Sequence, residues 1–205
     1  NDCLSGPDGV PCGAGDVCGG DGTCRSGACV AITSAEVLEC LEPFTAAIVT
    51  NFDDGSASVL GHLIEGLRVL EYRGYDSCGV AVAEGGAVSV RRKVGRLSEL
   101  ERVLADGALN QARAGIGHTR WATHGRVNEE NAHPHFDTDD RVHVVVNGIV
   151  ENYLALRERL RGEGAVFTSE TDAEVIAHLI ASHMNGGGDL AGAVRGAYAD
   201  LEGHY

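Results

Sequence analysis

Six of the seven cysteines, Cys3, Cys12, Cys18, Cys24, Cys29 and Cys40, fall in the first 40 of 205 residues, and only Cys78 lies beyond them. That partition constrains the fold more than any other feature. A segment of Gly, Asp and Ser with few large apolar side chains cannot bury enough surface to hold itself together. It is expected to be a small disulfide-stapled module, with no pairing fixed by the spacing. Zinc is the competing reading, but the intervals of 8, 5, 5, 4 and 10 residues contain no CxxC pair. The division expected is a Cys-rich head and linker over 1–45 and a globular domain over 46–205.

From residue 46 onward the pattern alternates between strand and helix. AAIVTNF (46–52) is an apolar run that predicts a buried strand. In VLGHLIEGLRVLEYR (59–73), Val59, Leu60, Leu63, Ile64, Leu67 and Leu70 share one helical face, and Gly74 follows as a stop. CGVAVAE and AVSVRRKV, separated by Gly85 and Gly86, predict a hairpin. Ser98 with Glu101 and Thr171 with Glu174 have the spacing of capping boxes, each opening a helix, the first ending near Gly107 and the second running through DAEVIAHLIASHM. GIGHTRWA and VHVVVNG predict two further strands. Helices are expected from about Val150 to Arg161 and from Leu190 to Asp200. The class is α+β, with helices packed on antiparallel sheets.

Composition excludes several functions. A formal charge of −14 leaves no basic surface for tracking phosphates, so no nucleic-acid partner is expected. No stretch of 18 apolar residues exists, so no membrane-spanning helix is expected. The chain begins at Asn1 and its only methionine is Met184, which predicts a processed chain or a fragment.

Four strings combine strand ends or helix starts with polar groups that a fold alone does not require: LEYRGYDS (70–77), GHTRWATHG (117–125), NGIVENY (147–153) and SETDAEVIAHL (169–179). Arg120 offers a planar cation suited to gripping a carboxylate with two hydrogen bonds. Asp172, in the expected first turn of its helix, could accept hydrogen bonds from an ammonium group. Each also has a plainer reading, as an ordinary ion pair and as a complement to the helix dipole. Asn147-Gly148 reads as a turn by its pattern, or as an oxyanion hole by its chemistry. His118, His124, His133 and His135 lack the spacing of a helical metal pair, so no metal is expected, and no other cofactor.

Together and in this order, the four strings resemble the type-2 glutamine amidotransferase domain of the glucosamine-6-phosphate synthase family, the isomerizing glutamine:fructose-6-phosphate aminotransferases. The resemblance runs from about Ala46 to Tyr205. It implies the four-layer αββα sandwich of N-terminal-nucleophile hydrolases and L-glutamine as ligand. It also implies that Arg120 binds the α-carboxylate beside Thr123 and His124, that Asp172 holds the α-ammonium, and that Trp121 belongs to a segment closing over the site. Asn147 and Gly148 become the oxyanion hole. The family is homodimeric and cytoplasmic, whereas a disulfide head implies an extracellular or periplasmic location.

The chain departs from that family where the chemistry starts. The family opens with Cys-Gly-Ile-Val at a freed N-terminus, where the thiolate attacks the glutamine amide and the α-amine serves as its base. Here the segment reads Ala46-Ala47-Ile48-Val49. Alanine has no nucleophile, so the glutaminase is expected to be inactive. Thr45 stands one residue out of register, Cys40 is expected in a disulfide, and Cys78 is expected to be a core thiol. Val146 replaces a histidine and Thr50 a glycine. The chain ends where the family continues, so the sugar-isomerase region that would bind fructose 6-phosphate is expected to be absent. Three functions follow: part of a glucosamine-6-phosphate synthase-like protein, a glutamine-binding pseudo-enzyme, or a secreted protein working through its Cys-rich head.

Overall fold

The structure, a computed structural model, describes residues 59–204 apart from 85, 108, 110, 111, 113, 123, 124 and 188, together with the backbone of 16–18, 24–26 and 50–51. In the head, β1 (Asp16–Cys18) and β2 (Cys24–Ser26) pair antiparallel with Cys18 opposite Cys24. The other head cysteines lie outside the described residues, as do Thr45 and Ala46. The strand expected over 46–52 is described only at β3 (Thr50–Asn51).

The 3.6-residue spacing of apolar positions yields α1 (Val59–Leu70), followed by a single 3-10 turn over Glu71–Arg73. The hairpin forms as β4 (Ser77–Glu84) and β5 (Ala87–Val94), turning at Gly86 with a φ of 87°. Next come α2 (Leu97–Leu104) and β6 (Ala114–Arg120). These strands make one antiparallel sheet in the order β3-β6-β4-β5. Short pieces follow: β7 (His135–Phe136), β8 (His143–Val144) and β9 (Ile149–Val150). Then α3 (Tyr153–Gly162), α4 (Glu174–Asn185), α5 (Leu190–Asp200) and β10 (Gly203–His204) complete the domain. β7 pairs with β8 and β9 with β10, both antiparallel.

The two faces of the sheet differ in kind. Period-two alternation sends Cys78, Val80 and Val82 of β4 toward the helices, where they join Val59, Leu63, Leu67, Leu97 and Leu100 in an apolar core. Leu63 and Leu67 reach the strand at Gly115 and Gly117. The opposite face carries Gly79, His118 and Arg120, packed against the 131–137 segment. A Cβ on Gly79 would stand 2.2 Å from the His133 carbonyl oxygen, so only glycine allows this approach. Beyond β7–β8 a second apolar core joins Val150, Leu156, Leu160, Val175, Leu179 and Ala197 from α3, α4, α5 and β9.

Several local expectations are corrected. Neither capping box forms. Ser98 is inside α2, whose first amide, Leu97 N, is capped from a distance by Glu71 Oε1 at 2.7 Å. Thr171 precedes α4 by three residues, and Glu174 reaches back to Thr168 and Ser169 instead. Asp172 therefore lies just before the helix and not in its first turn. VHVVVNG forms a strand only at His143–Val144. Val150 is in a strand, so α3 starts three residues later than expected. Backbone groups here bond to side chains brought in from other segments, which local pattern cannot register.

Candidate functional site

Arg120 is the last residue of β6, opposite Ser77 of β4. The strand thus delivers its guanidinium to the end of the sheet at which the 121–130 loop begins. The side chain is only 4% exposed, and Nη1 donates to the Arg126 carbonyl at 3.2 Å. Burial pushes its pKa below the ordinary arginine value, while Asp76 and Asp172 act in the opposite direction. A buried cation with carboxylates close by presents both signs of charge in one place, the arrangement that the two charged ends of an amino acid would complement.

Asp172 is 6% exposed, and its Oδ2 accepts the Val150 amide at 2.8 Å. That bond ties the turn before α4 to the strand that follows Asn147 and Gly148. Both of those residues are exposed, and Gly148 has a φ of 147°, a conformation that side chains disfavour. The residue before them is held at both of its polar backbone atoms. The Val146 carbonyl lies 3.2 Å from His118 Nε2, and its amide donates to His133 Nδ1 at 3.4 Å.

Trp121 follows Arg120 and is 58% exposed, edge-on to Tyr75 with ring centroids 5.6 Å apart. Thr123, His124 and Ala46 lie outside the described residues. The structure thus brings together Arg120 and Asp172, sets the Asn147-Gly148 segment beside Asp172 through Val150, and leaves Trp121 at the surface.

Sequence reasoning missed three supports. Asp76, inside LEYRGYDS, accepts the Ala122 amide on Oδ2 at 2.8 Å, and its own amide donates to the Arg120 carbonyl at 3.1 Å. Asn131 and Glu170 pin the 121–130 loop to the 166–172 segment. Asn131 Nδ2 donates to the Arg126 carbonyl at 3.0 Å and to Glu170 Oε2 at 3.1 Å, while its Oδ1 accepts the Glu170 amide at 2.8 Å. Glu174 was visible as the second half of an S/T-x-x-E pattern, but it caps a turn and not a helix.

The histidines form a buried stack. His118 and His133 lie face to face at 4.1 Å, and His135 meets His133 edge-on at 4.4 Å. Burial lowers His118 to a pKa of about 4 and His135 to about 3, and it pushes His133 well below 6.5, so all three are neutral at pH 7. Stacked rings do not converge their nitrogens on one point, and no group suited to a metal ion occurs among the described residues. Cys78 is buried and unpaired, its pKa raised to about 12 by burial and by Glu71, which makes it a core thiol and not a nucleophile. No described helix is long and apolar enough to cross a membrane. A cleft of about 620 Å³ along β5, lined by Val88, Val90, Arg92, Val103 and Phe136, shares none of the predicted site residues.

Residues 103–201 match the family described as a glutamine amidotransferase domain. The isomerizing glutamine–fructose-6-phosphate aminotransferase of Symbiobacterium thermophilum is 55% identical over 151 residues, which are 74% of this chain and 24% of that protein. Its counterpart in Pseudomonas putida is 54% identical over 144 residues, 70% of this chain and 23% of that one. The fold also resembles that of glutamine phosphoribosylpyrophosphate amidotransferase from B. subtilis, at a TM-score of 0.61 and 24% identity, over 76% of this chain and 32% of the other. The chain spans about a quarter of the length of the curated relatives it matches. It carries a type-2 glutamine amidotransferase domain of the kind found in the glutamine–fructose-6-phosphate aminotransferases.

Proposed function

We propose that this domain binds L-glutamine and, as the chain stands, does not hydrolyse it. The observation that carries this reading is a buried guanidinium, Arg120, within electrostatic reach of a buried carboxylate, Asp172, which is tied to the strand after the Asn147-Gly148 segment. Arg120 takes the α-carboxylate and Asp172 the α-ammonium. Thr123 and His124 line the pocket, and Trp121 closes over it. Asn147 and Gly148 face the amide oxygen, where negative charge would develop on attack. Ala46 occupies the nucleophile's place. Losing a nucleophile that works with its base costs on the order of 10⁶ in kcat. The arrangement around the helices, the sheet and the β7–β8 ladder fits the four-layer αββα sandwich.

In a longer protein of this kind the domain is the glutamine side of an aminotransferase, supplying ammonia for glucosamine 6-phosphate synthesis. Fructose 6-phosphate is met only through a sugar-isomerase region, and the protein is a homodimer. Residues 1–45 form a separate module and 46–205 the amidotransferase domain, and the β1–β2 ladder with Cys18 opposite Cys24 supports that division. Six reactive thiols in the native head would remove the disulfide module, and with it an extracellular or periplasmic location.

The test measures glutamine binding by calorimetry and glutamate release, for the chain and for a variant starting at position 46 with Ala46→Cys. The expected result is binding without release for the chain and release for the variant. Glutamate release by the unaltered chain would sink the inactive reading. Absence of glutamine binding would sink the site.

A further inference from the structure

Glu174 is wholly buried at the start of α4 and is not part of the pocket just described. Its Oε1 accepts the Thr168 amide at 2.7 Å and the Thr168 hydroxyl at 2.9 Å. Its Oε2 accepts the Ser169 amide at 2.8 Å and the Ser169 hydroxyl at 2.6 Å. The Ser169 and Thr171 hydroxyl oxygens are 3.0 Å apart, and Thr171 Oγ1 lies 3.0 Å from His135 Nε2. Arg157 Nη2 donates to the Ser169 carbonyl and stands 3.8 Å from Glu174 Oε2, with His178 Nε2 3.7 Å from Oε1. The turn over 168–171 is thus wound onto one carboxylate, and the next residue is Asp172.

We propose that Glu174 is a positioning residue that sets Asp172 for the α-ammonium of an amino-acid ligand, by holding the 168–171 turn that leads directly into it. The proposal rests on the reading of Asp172 as the ammonium site. An ionised carboxylate is needed because both oxygens are acceptors, each taking two donors from the turn. Glutamine has the same shape but only one acceptor oxygen, and its amide nitrogen would meet the donors of Thr168 or Ser169 head-on. An apolar residue would leave all four donors unpaired in a dry site. The consequence is local. α4 stays packed through Val175, Leu179 and Ile180, while the turn before it loosens and Asp172 releases the Val150 amide.

The experiment compares the full chain with Glu174→Gln by two readouts. The first is hydrogen exchange at the Val150 amide, which needs no ligand. It is expected to quicken by about tenfold or more in the variant, with amides of β4 and α5 unaffected. The second is affinity for glutamine and for its analogue lacking the α-amino group. The variant is expected to lose about tenfold for glutamine and to keep its affinity for the analogue, since only the first uses Asp172 as an ion-pair partner. Unchanged Val150 exchange, or equal loss for both ligands, overturns the proposal. If the unaltered chain binds neither ligand, the glutamine reading fails by itself, and Val150 exchange alone decides whether Glu174 positions Asp172. Should Glu174→Gln fail to fold, Thr171→Val removes the hydroxyl that fastens the same turn to Ser169 and His135 while leaving the carboxylate and its backbone donors in place. It is expected to quicken Val150 exchange in the same direction by a smaller factor, and no change would overturn the proposal.

Discussion

The sheet β3-β6-β4-β5 presents two faces that solve different problems. Toward α1 and α2 it offers Val80, Val82 and Cys78 to a layer of leucines, and what matters there is volume. Toward α4 it offers His118 and Arg120 to His133, His135, Ser169, Thr171, Asp172 and Glu174, all of them buried. What matters on that side is whether each donor finds an acceptor. The apolar face tolerates exchange of one hydrophobic residue for another of like size. The polar face fixes directions as well as distances, and so it can aim a carboxylate and a guanidinium at a ligand. The same difference explains why the candidate site lies on the second face.

The largest test of this comparison is acid. Folded His118 has a pKa of about 4 against an ordinary 6.5, and His135 and His133 are shifted the same way. Above 6.5 the folded and unfolded chains are both neutral at these rings. Below it the unfolded chain takes up protons that the folded chain refuses, so stability falls as pH drops toward 4, by about 1.4 kcal/mol per unit for each ring. Urea unfolding at pH 7.5 and pH 5 should differ by several kcal/mol, and His133→Phe should flatten the slope. An unchanged midpoint across that range would contradict the polar-face account.

On the other face, Leu63→Ala should cost about 3 kcal/mol in urea unfolding, because Leu63 is fully buried against Gly115 and Val82. Its pH dependence should match that of the parent chain. A change in slope would mean that the two faces are coupled. Arg120→Met removes the buried cation while keeping its bulk. Glutamine affinity measured by calorimetry should fall by about 100-fold, and an undiminished affinity would move the carboxylate site elsewhere. The smallest effect is expected for Glu71→Ala, which removes the distant cap of α2 and should lower stability by about 1 kcal/mol without touching ligand binding.

Much of the fold was legible because it follows local rules. The helical face from Val59 to Leu70, the β4–β5 hairpin with its glycine turn, and α5 from Leu190 to Asp200 all stand where periodicity puts them. Errors gathered where a backbone group is satisfied by a side chain outside the spacing that a local motif assumes. Leu97 is capped by Glu71, Val150 by Asp172, and Thr168 with Ser169 by Glu174, so both expected capping boxes failed. Of the candidate site, the motifs named Arg120, Asp172 and Asn147-Gly148 as candidates, whereas Asp76, Asn131 and Glu170, which fasten the loops around them, were not singled out as residues because their partners lie on other segments.

The sequence by itself determined the family of the domain and the alternation that builds its sheet and helices. Only the tertiary structure decided which face of the sheet is polar and that His118, His133 and His135 stack there as neutral rings. It also decided that Glu174 serves a turn and not a helix end. The physical reason is one of range. Apolar periodicity is written into neighbouring residues, whereas the partner of a buried hydrogen-bonding group can come from any segment that the fold brings near.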